Sequence, residues 1–397
     1  MLTNMEVDKF SKLHPKRNKV NKSKKIIKAI IFIILSILLF LYLFYFTKRL
    51  NTNYSKIINL NYYLIKKIQD LENFIKKQRP NPIISSELNS NSSKENSSNE
   101  EFDEILNKKY IENQIHFCQS DDLFYDTEIE NKIKRVRAHL NNIAFYMFVY
   151  KSNDYVSDSI SGSGAWEGIQ VSNLIKSLNY YGEKKKLNKN EITVLDIGAN
   201  VGWYSFYLAN AGYELFSFEV SHINGYIIKK NFCLNQTLKI TLINKGIGLE
   251  KEKCFLHHPS NNIGNAVVLC GENGNIAVKK ENLTEEVEFT KLSNYYSFLS
   301  KKNLALIKLD VEGSEGKVIE SGIEFISKYK VPFLFVEFRN DYLKLQGTDP
   351  KEFLEMFEKN GYLFSIDDFF CKKYLSIEIL LKVKSTDLFI VHKSILE

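Results

Sequence analysis

The run Asp196-Ile197-Gly198-Ala199-Asn200-Val201-Gly202 follows a short β-branched stretch (Ile192, Val194, Leu195, Ile197) and leads into an apolar stretch from Trp203 to Ala211. That is the pattern of strand, glycine turn and helix. Glycine lets the backbone turn tightly and approach a ligand closely. The free N–H groups of the helix then face the carboxyl end of the strand, where doubly wound sheets bind ligands. Up to this point an ordinary turn with two glycines would read the same. Tyr213–Phe218 reads as the next strand, however, and Glu219 stands at its end. It lies roughly 20 residues beyond Asp196, where an acid can hold both hydroxyls of a ribose. Glycine turn and acid together specify a nucleoside. A dinucleotide turn reads G-x-G-x-x-G, whereas this one reads G-A-N-V-G and follows an acid that would repel a pyrophosphate. A cofactor with a cationic sulfonium and ammonium suits the acidic loop better, so S-adenosylmethionine is favoured over NAD.

Further elements extend the pattern. Lys239–Asn244 reads as a strand, with a turn at Lys245–Gly248 that brings Gly246 to the same edge. Ala305–Leu309 and Val331–Val336 read as strands ending in Asp310 and Glu337. Between them Val318, Ile319, Ile323 and Ile326 form one helical face. Asp349-Pro350-Lys351-Glu352 starts a helix that Gly361 stops. Gly361–Ile366 and Leu380–His392 close the chain as an antiparallel pair. Alternating strands and helices predict a mainly parallel α/β sheet.

Asp310, Glu312 and Glu315 share the sheet edge with the glycine turn. Such acids can orient an ammonium, take a proton or hold a divalent metal. They can equally cap the following helix, the reading preferred for Glu315. Asp310 and Glu337 rank first as a general base, ahead of His257 and His258, which also read as solvated loop residues. No metal site is predicted.

The remainder of the chain is of another kind. Ala29–Phe46 holds one weakly polar residue, Ser36, and no charge. A helix of ~20 apolar residues crosses a bilayer core. Bulky Tyr and Phe stand where a signal peptidase would need small residues. Residues 1–28 carry nine basic residues against Glu6 and Asp8, which accounts for the whole net charge of +7. No basic face remains for nucleic acid. The basic flank predicts a cytoplasmic tail (1–28), a signal-anchor span (29–46) and a lumenal remainder, in the ER or Golgi. Acceptor triplets at Asn53, Asn91, Asn96, Asn235 and Asn282 fit that topology. Ile57, Leu64, Ile68, Leu71 and Ile75 form a heptad-like stripe in a stem (47–79), a candidate homodimer contact. Residues 80–105 include SSELNSNSSKENSSNE and read as a flexible linker. None of the five cysteines forms a CxxC pair, so each reads as a small buried apolar residue.

Four blocks in order are similar to the FkbM-type family of class I methyltransferases. SGSGAWEGIQVSNL (161–174) resembles its lead-in and VLDIGANVGWYS (194–205) its glycine loop. FSFEVS (216–221) resembles its ribose-acid strand, and IKLDVEGSEGKVIESG (307–322) its fourth-strand block. The resemblance covers roughly 150–395. It implies a Rossmann-like, doubly wound, mainly parallel seven-stranded sheet with an antiparallel C-terminal strand, over 106–397. It also implies O-methylation of a hydroxyl. By position Trp166, Glu167, Asp196, Gly198, Asn200, Gly202 and Gly246 would line the cofactor, with Glu219 on its ribose. Val220-Ser221-His222 departs from the family, which often has Pro there. Leu249–Leu292 is its variable part. With the lumenal topology the expected acceptor is a glycan or glycoconjugate. The alternatives are a scaffold that kept the fold without transfer, or another nucleotide-dependent enzyme.

Overall fold

Seven strands form the central sheet: β1 (Ile192–Ile197), β2 (Glu214–Phe218), β3 (Ile240–Ile243), β4 (Asn303–Leu309), β5 (Phe333–Arg339), β6 (Tyr362–Ser365) and β7 (Ser385–His392). Their order is β6-β7-β5-β4-β1-β2-β3. Strands β1 to β5 pair in parallel, and β7 runs antiparallel to both its neighbours. The computed structural model describes residues 109–119, 127–249, 254–259, 262–270 and 284–397. All belong to the compact unit Asn91–Glu397. The expected tail, membrane span, stem and linker lie outside the described residues. Among those described, no helix is long and apolar enough to cross a membrane.

The sheet is buried on both faces, which is why its strands read as continuous apolar runs. Val194, Leu215, Phe333 and Phe389 face one core. Leu195, Phe216, Leu334 and Ile390 face the other. The chain leaves β1 toward β2 and β3, then returns on the far side of β1 as β4. The reversal between β1 and β4 opens the crevice where such sheets take ligands.

Three helices matter to that crevice: α1 (Gly168–Lys185), α2 (Trp203–Asn210) and α3 (His222–Leu234). A hairpin, Ile133–Leu140 with Ile143–Tyr150, packs against α3. The buried amide of Asn231 on α3 donates to Phe148 O at 3.1 Å and Val201 O at 3.0 Å. One side chain thereby fixes hairpin, helix and glycine loop together. On the outer edge Gln114 pairs with β3 as a strand would. It donates to Ile240 O at 3.2 Å and accepts from Leu242 N–H at 2.8 Å. That satisfies an edge otherwise open to foreign pairing.

Several expectations change. Strand β5 continues through Arg339, so Glu337 lies inside it, paired with Asp387 of β7, rather than at its end. The expected strand Leu380–His392 divides into a short helix, Ile377–Leu380, and β7. The helix between β4 and β5 is two short ones, Glu315–Glu320 and Ile323–Lys328. Four of the five cysteines are not isolated apolar residues. Cys118 pairs with Cys233, and Cys254 with Cys270. Cys118 and Cys233 lie 115 residues apart and meet through the packing of the 109–119 helix on α3, whereas Cys254 and Cys270, 16 apart, face each other across adjacent strands of the variable insert. Asp349 caps its helix as expected, accepting from Lys351 and Glu352 N–H at 2.8 and 3.0 Å.

The variable insert forms an antiparallel sheet of Cys254–His257 between Val267–Cys270 and Thr284–Val287. Gly264 and Val268 from it help to line the crevice.

Candidate functional site

A cleft opens at the switch point between the glycine loop, the ends of β2 and β4, and the insert. Gly198 has φ +84°, and a Cβ there would stand 1.8 Å from Asp310 O. The backbone of β1 and that of β4 therefore approach each other as only glycine permits. Gly198 and Ala199 N–H both donate to Phe218 O, at 2.9 and 3.1 Å. Asn200 takes a left-handed conformation, φ 53°. Its N–H donates to Glu219 Oε2 at 2.7 Å, and Ser221 N–H donates to Oε1 at 2.8 Å. Glu219 is nearly buried and lines the cleft. Burial lifts its carboxyl to about 7, against the lowering pull of those two N–H groups. The Asn224 side chain also bonds it, and of a carboxylate's roughly four lone-pair sites one remains for a ligand hydroxyl.

Beneath the loop lies a buried charge cluster. Asp196 is wholly buried and accepts from Ser205 Oγ at 2.6 Å. Lys308, equally buried, comes from the next strand. Its Nζ donates to Gly198 O at 2.9 Å and stands 3.7 Å from Asp196 Oδ1 and 3.3 Å from Asp310 Oδ2. Burial raises the Asp196 carboxyl, and Lys308 opposes that rise. Asp310 and Asp196 hold the lysine charged despite burial.

Strand register explains the acids of the edge. Lys308 lies opposite Asp196 and Phe335, and Glu337 lies opposite Asp387. One residue past the end of β4, Asp310 falls in line with Glu337. Asp310, Glu312 and Glu337 place carboxylate oxygens within 4.8 Å of one another, a spacing that would admit a divalent cation. Burial, with like charge from Asp310, lifts Glu312 to about 8 and Glu337 to about 10. Arg339 Nη1 stands 3.7 Å from Glu312 Oε2. Oε2 of Glu312 and of Glu337 has no hydrogen-bond partner. Glu315 has the structural place expected of it, starting its helix and accepting from Val311 and Gly313 N–H at 2.8 and 3.3 Å.

The fold brings Gly198, Asn200, Glu219, Gly246 and Asp310 to one cleft wall or another. A Cβ at Gly246 would stand 2.5 Å from the Phe289 ring, which also lines the cleft. Asp196 lies just beneath, and Gly202 caps α2 behind the loop. Trp166 is half-buried against the core and does not line the cleft. Glu167 caps α1 and accepts from Tyr204 Oη. Burial brings its carboxyl to about 7, within the field of Asp387, Asp310 and Lys308. His257 sits on the insert's central strand, away from the cleft lining. His258 points Nδ1 at Ile263 O, 2.9 Å away, and Nε2 toward Glu285 at 3.8 Å. Sequence reasoning missed Lys308, Tyr204 and Asp387. For Lys308 a signal existed: a lysine inside an apolar strand, ALIKL, must find a counter-charge.

These residues fit a nucleoside cofactor with a cationic centre. Gly198 leaves the room a backbone-hugging ligand needs, the buried Asn200 Oδ1 has no hydrogen-bond partner, and the surrounding charge is mainly negative.

No curated protein matches the chain significantly. Among solved structures, the bifunctional kinase-methyltransferase WbdD aligns at TM-score 0.32 and 11% identity, over 56% of this chain and 39% of its own. This chain thus spans about two fifths of WbdD. Magnesium protoporphyrin IX methyltransferase of Synechocystis PCC 6803, with bound SAH, aligns at 0.30 and 12%, over 60% of this chain and 88% of its own. Precorrin-6y C5,15-methyltransferase of Geobacter metallireducens GS-15 aligns at 0.28 and 11%, over 55% and 86%. In sequence, residues 196–364 match the methyltransferase FkbM domain, a family of class I S-adenosylmethionine-dependent methyltransferases.

Proposed function

We propose that the protein is a membrane-anchored O-methyltransferase that uses S-adenosylmethionine to methylate a hydroxyl of a glycan or glycoconjugate in the secretory pathway. The observation that carries the enzymatic part is the cleft itself. Glu219, oriented by two backbone N–H groups, and Asp310 line one cleft beside a glycine loop with no room for a side chain at Gly198. When bound, the cofactor supplies an activated methyl group. Glu219 accepts a ribose hydroxyl. Asp196, Gly198 and Asn200 shape the wall against the cofactor's cationic end, and Gly246 closes the far side. Asp310 is 41% exposed at the cleft rim and takes the proton of the acceptor hydroxyl. Lys308 Nζ, 3.3 Å from Asp310 Oδ2, holds that carboxylate in place. Glu337 and Glu312, lifted toward neutrality, hydrogen-bond the acceptor as donors. Alignment of acceptor and methyl supplies much of the acceleration.

Calorimetric titration of the full-length protein with S-adenosylmethionine tests the reading. Saturable binding is expected, and its loss in Asp196→Ala and Glu219→Ala. A folded protein that binds none overturns the enzymatic reading in favour of a scaffold. Asp310→Asn is expected to abolish transfer while sparing most cofactor affinity; unchanged turnover removes Asp310 from the mechanism.

The lumenal location draws support from the apolar run at 29–46 and from the two disulfides, which persist in oxidising compartments. Asn235 is a poor topology marker, because its amide already donates to Asn231 O and Tyr146 O. Glycosidase sensitivity at Asn53, Asn91, Asn96 or Asn282 is the better assay. A cytosol-accessible, unmodified domain contradicts the topology.

A further inference from the structure

A second cavity, of about 370 Å³, lies at the outer edge of the sheet between the 109–119 helix and α3. It touches the cofactor cleft only through Lys245, which lines both. Its size lies within the range of small-molecule sites. Tyr110 and Phe117 give it aromatic walls, and His116, Lys229 and Lys245 make it basic. No acid is among its lining residues.

Lys229 is the informative residue. It is half-buried on α3, with its ammonium 5.5 Å from the centre of the Phe117 ring. Among the described residues no carboxylate pairs with it. Burial holds its ammonium below the usual lysine range, with no opposing charge to raise it. A desolvated cation without a counter-ion is costly, and an arriving oxyanion removes that cost. Lys245 beside it pairs at 2.8 Å with Glu288, which is largely exposed and outside the cavity. The walls are fixed beforehand. The Gln114 amide is bonded to β3, and the Cys118–Cys233 disulfide ties the 109–119 helix to α3. Such preorganisation reduces the entropy lost on binding.

We propose that this cavity binds an anionic sugar, its carboxylate or phosphate on Lys229 and Lys245 and its ring against Phe117 and Tyr110. The aromatic faces and the Asn113 amide suit a hydroxylated ring with apolar C–H faces better than a bare anion. The inference stands apart from methyl transfer, since Lys229 does not line the cofactor cleft.

Calorimetry on the full-length protein tests it, with glucuronate, glucose 6-phosphate, glucose and inorganic phosphate as probes. At least one charged sugar is expected to bind saturably, with glucose and inorganic phosphate weaker by about tenfold or more. The preferred charged sugar tells carboxylate from phosphate. Lys229→Met and Lys229→Gln are both expected to weaken the charged sugar by about tenfold, with no fall in melting temperature. The proposal is overturned if neither charged sugar binds, if inorganic phosphate binds as tightly as the sugars, or if a folded Lys229 variant binds as well as wild type. A cofactor titration on the same samples reads the methyltransferase separately.

Discussion

The two halves of the carboxyl edge are built on opposite terms. On the cofactor side, Glu219 is anchored by two backbone N–H groups and Asp196 by Ser205. On the other side, Glu312 and Glu337 crowd Asp310 and their carboxyls are lifted further, although both halves hold buried oxygens without a hydrogen-bond partner, Asp196 Oδ1 and Asn200 Oδ1 on the cofactor side and Oε2 of Glu312 and of Glu337 on this one. Like charges crowded in a buried site disfavour ionisation, so the second half is the less settled one. The contrast teaches which part of the site is finished by the fold. The cofactor wall is preformed, whereas the acid group around Asp310 is completed by whatever arrives. Lys308 joins the halves, since one ammonium serves the glycine loop, Asp196 and Asp310.

The comparison can be broken first at its most rigid point. Gly198→Ala forces a side chain onto Asp310 O at a positive φ. We expect a loss of about 4–5 kcal/mol in stability and no measurable S-adenosylmethionine binding. Denaturant unfolding and calorimetry check both, and a stable, binding variant would refute the preformed wall. Next, Lys308→Met leaves buried carboxylates without their cation. Removing one partner of a buried pair costs roughly 3 kcal/mol or more, read as a lower urea midpoint. A near-neutral result would mean that the acids do not depend on it.

Glu219→Gln keeps the shape but gives up the charge. Cofactor affinity should fall about tenfold, the scale of one charge-assisted hydrogen bond, with little change in melting temperature. Equal affinity would remove Glu219 from ribose binding.

The smallest effect sharpens the other half. Glu337 titrates at about 10 in the folded chain, against roughly 4.3 unfolded. Between those values the folded chain holds the extra proton. The contribution of Glu337 is therefore full below the unfolded value and is lost as pH rises toward the folded one. Glu337→Gln should match wild type near pH 5 and melt higher near pH 9. Parallel melting curves across that range would show Glu337 to be ionised.

The sequence by itself determined the features whose parts are neighbours along the chain. Strand, glycine turn, helix and the acid at the end of the next strand are local, and their spacing follows from backbone geometry. So do the Asp349 cap and the apolar run at 29–46. Only the tertiary structure decided what depends on strand order and register. Glu337 appeared to end its strand, yet β5 continues because β7 supplies hydrogen bonds through Arg339. Asp310 meets Glu337 because β4 and β5 are adjacent, and Lys308 meets Asp196 because β4 returns beside β1. The Cys118–Cys233 disulfide and the Lys229 cavity likewise join segments far apart in sequence. No periodicity encodes such meetings, because they are fixed by which buried faces pack together.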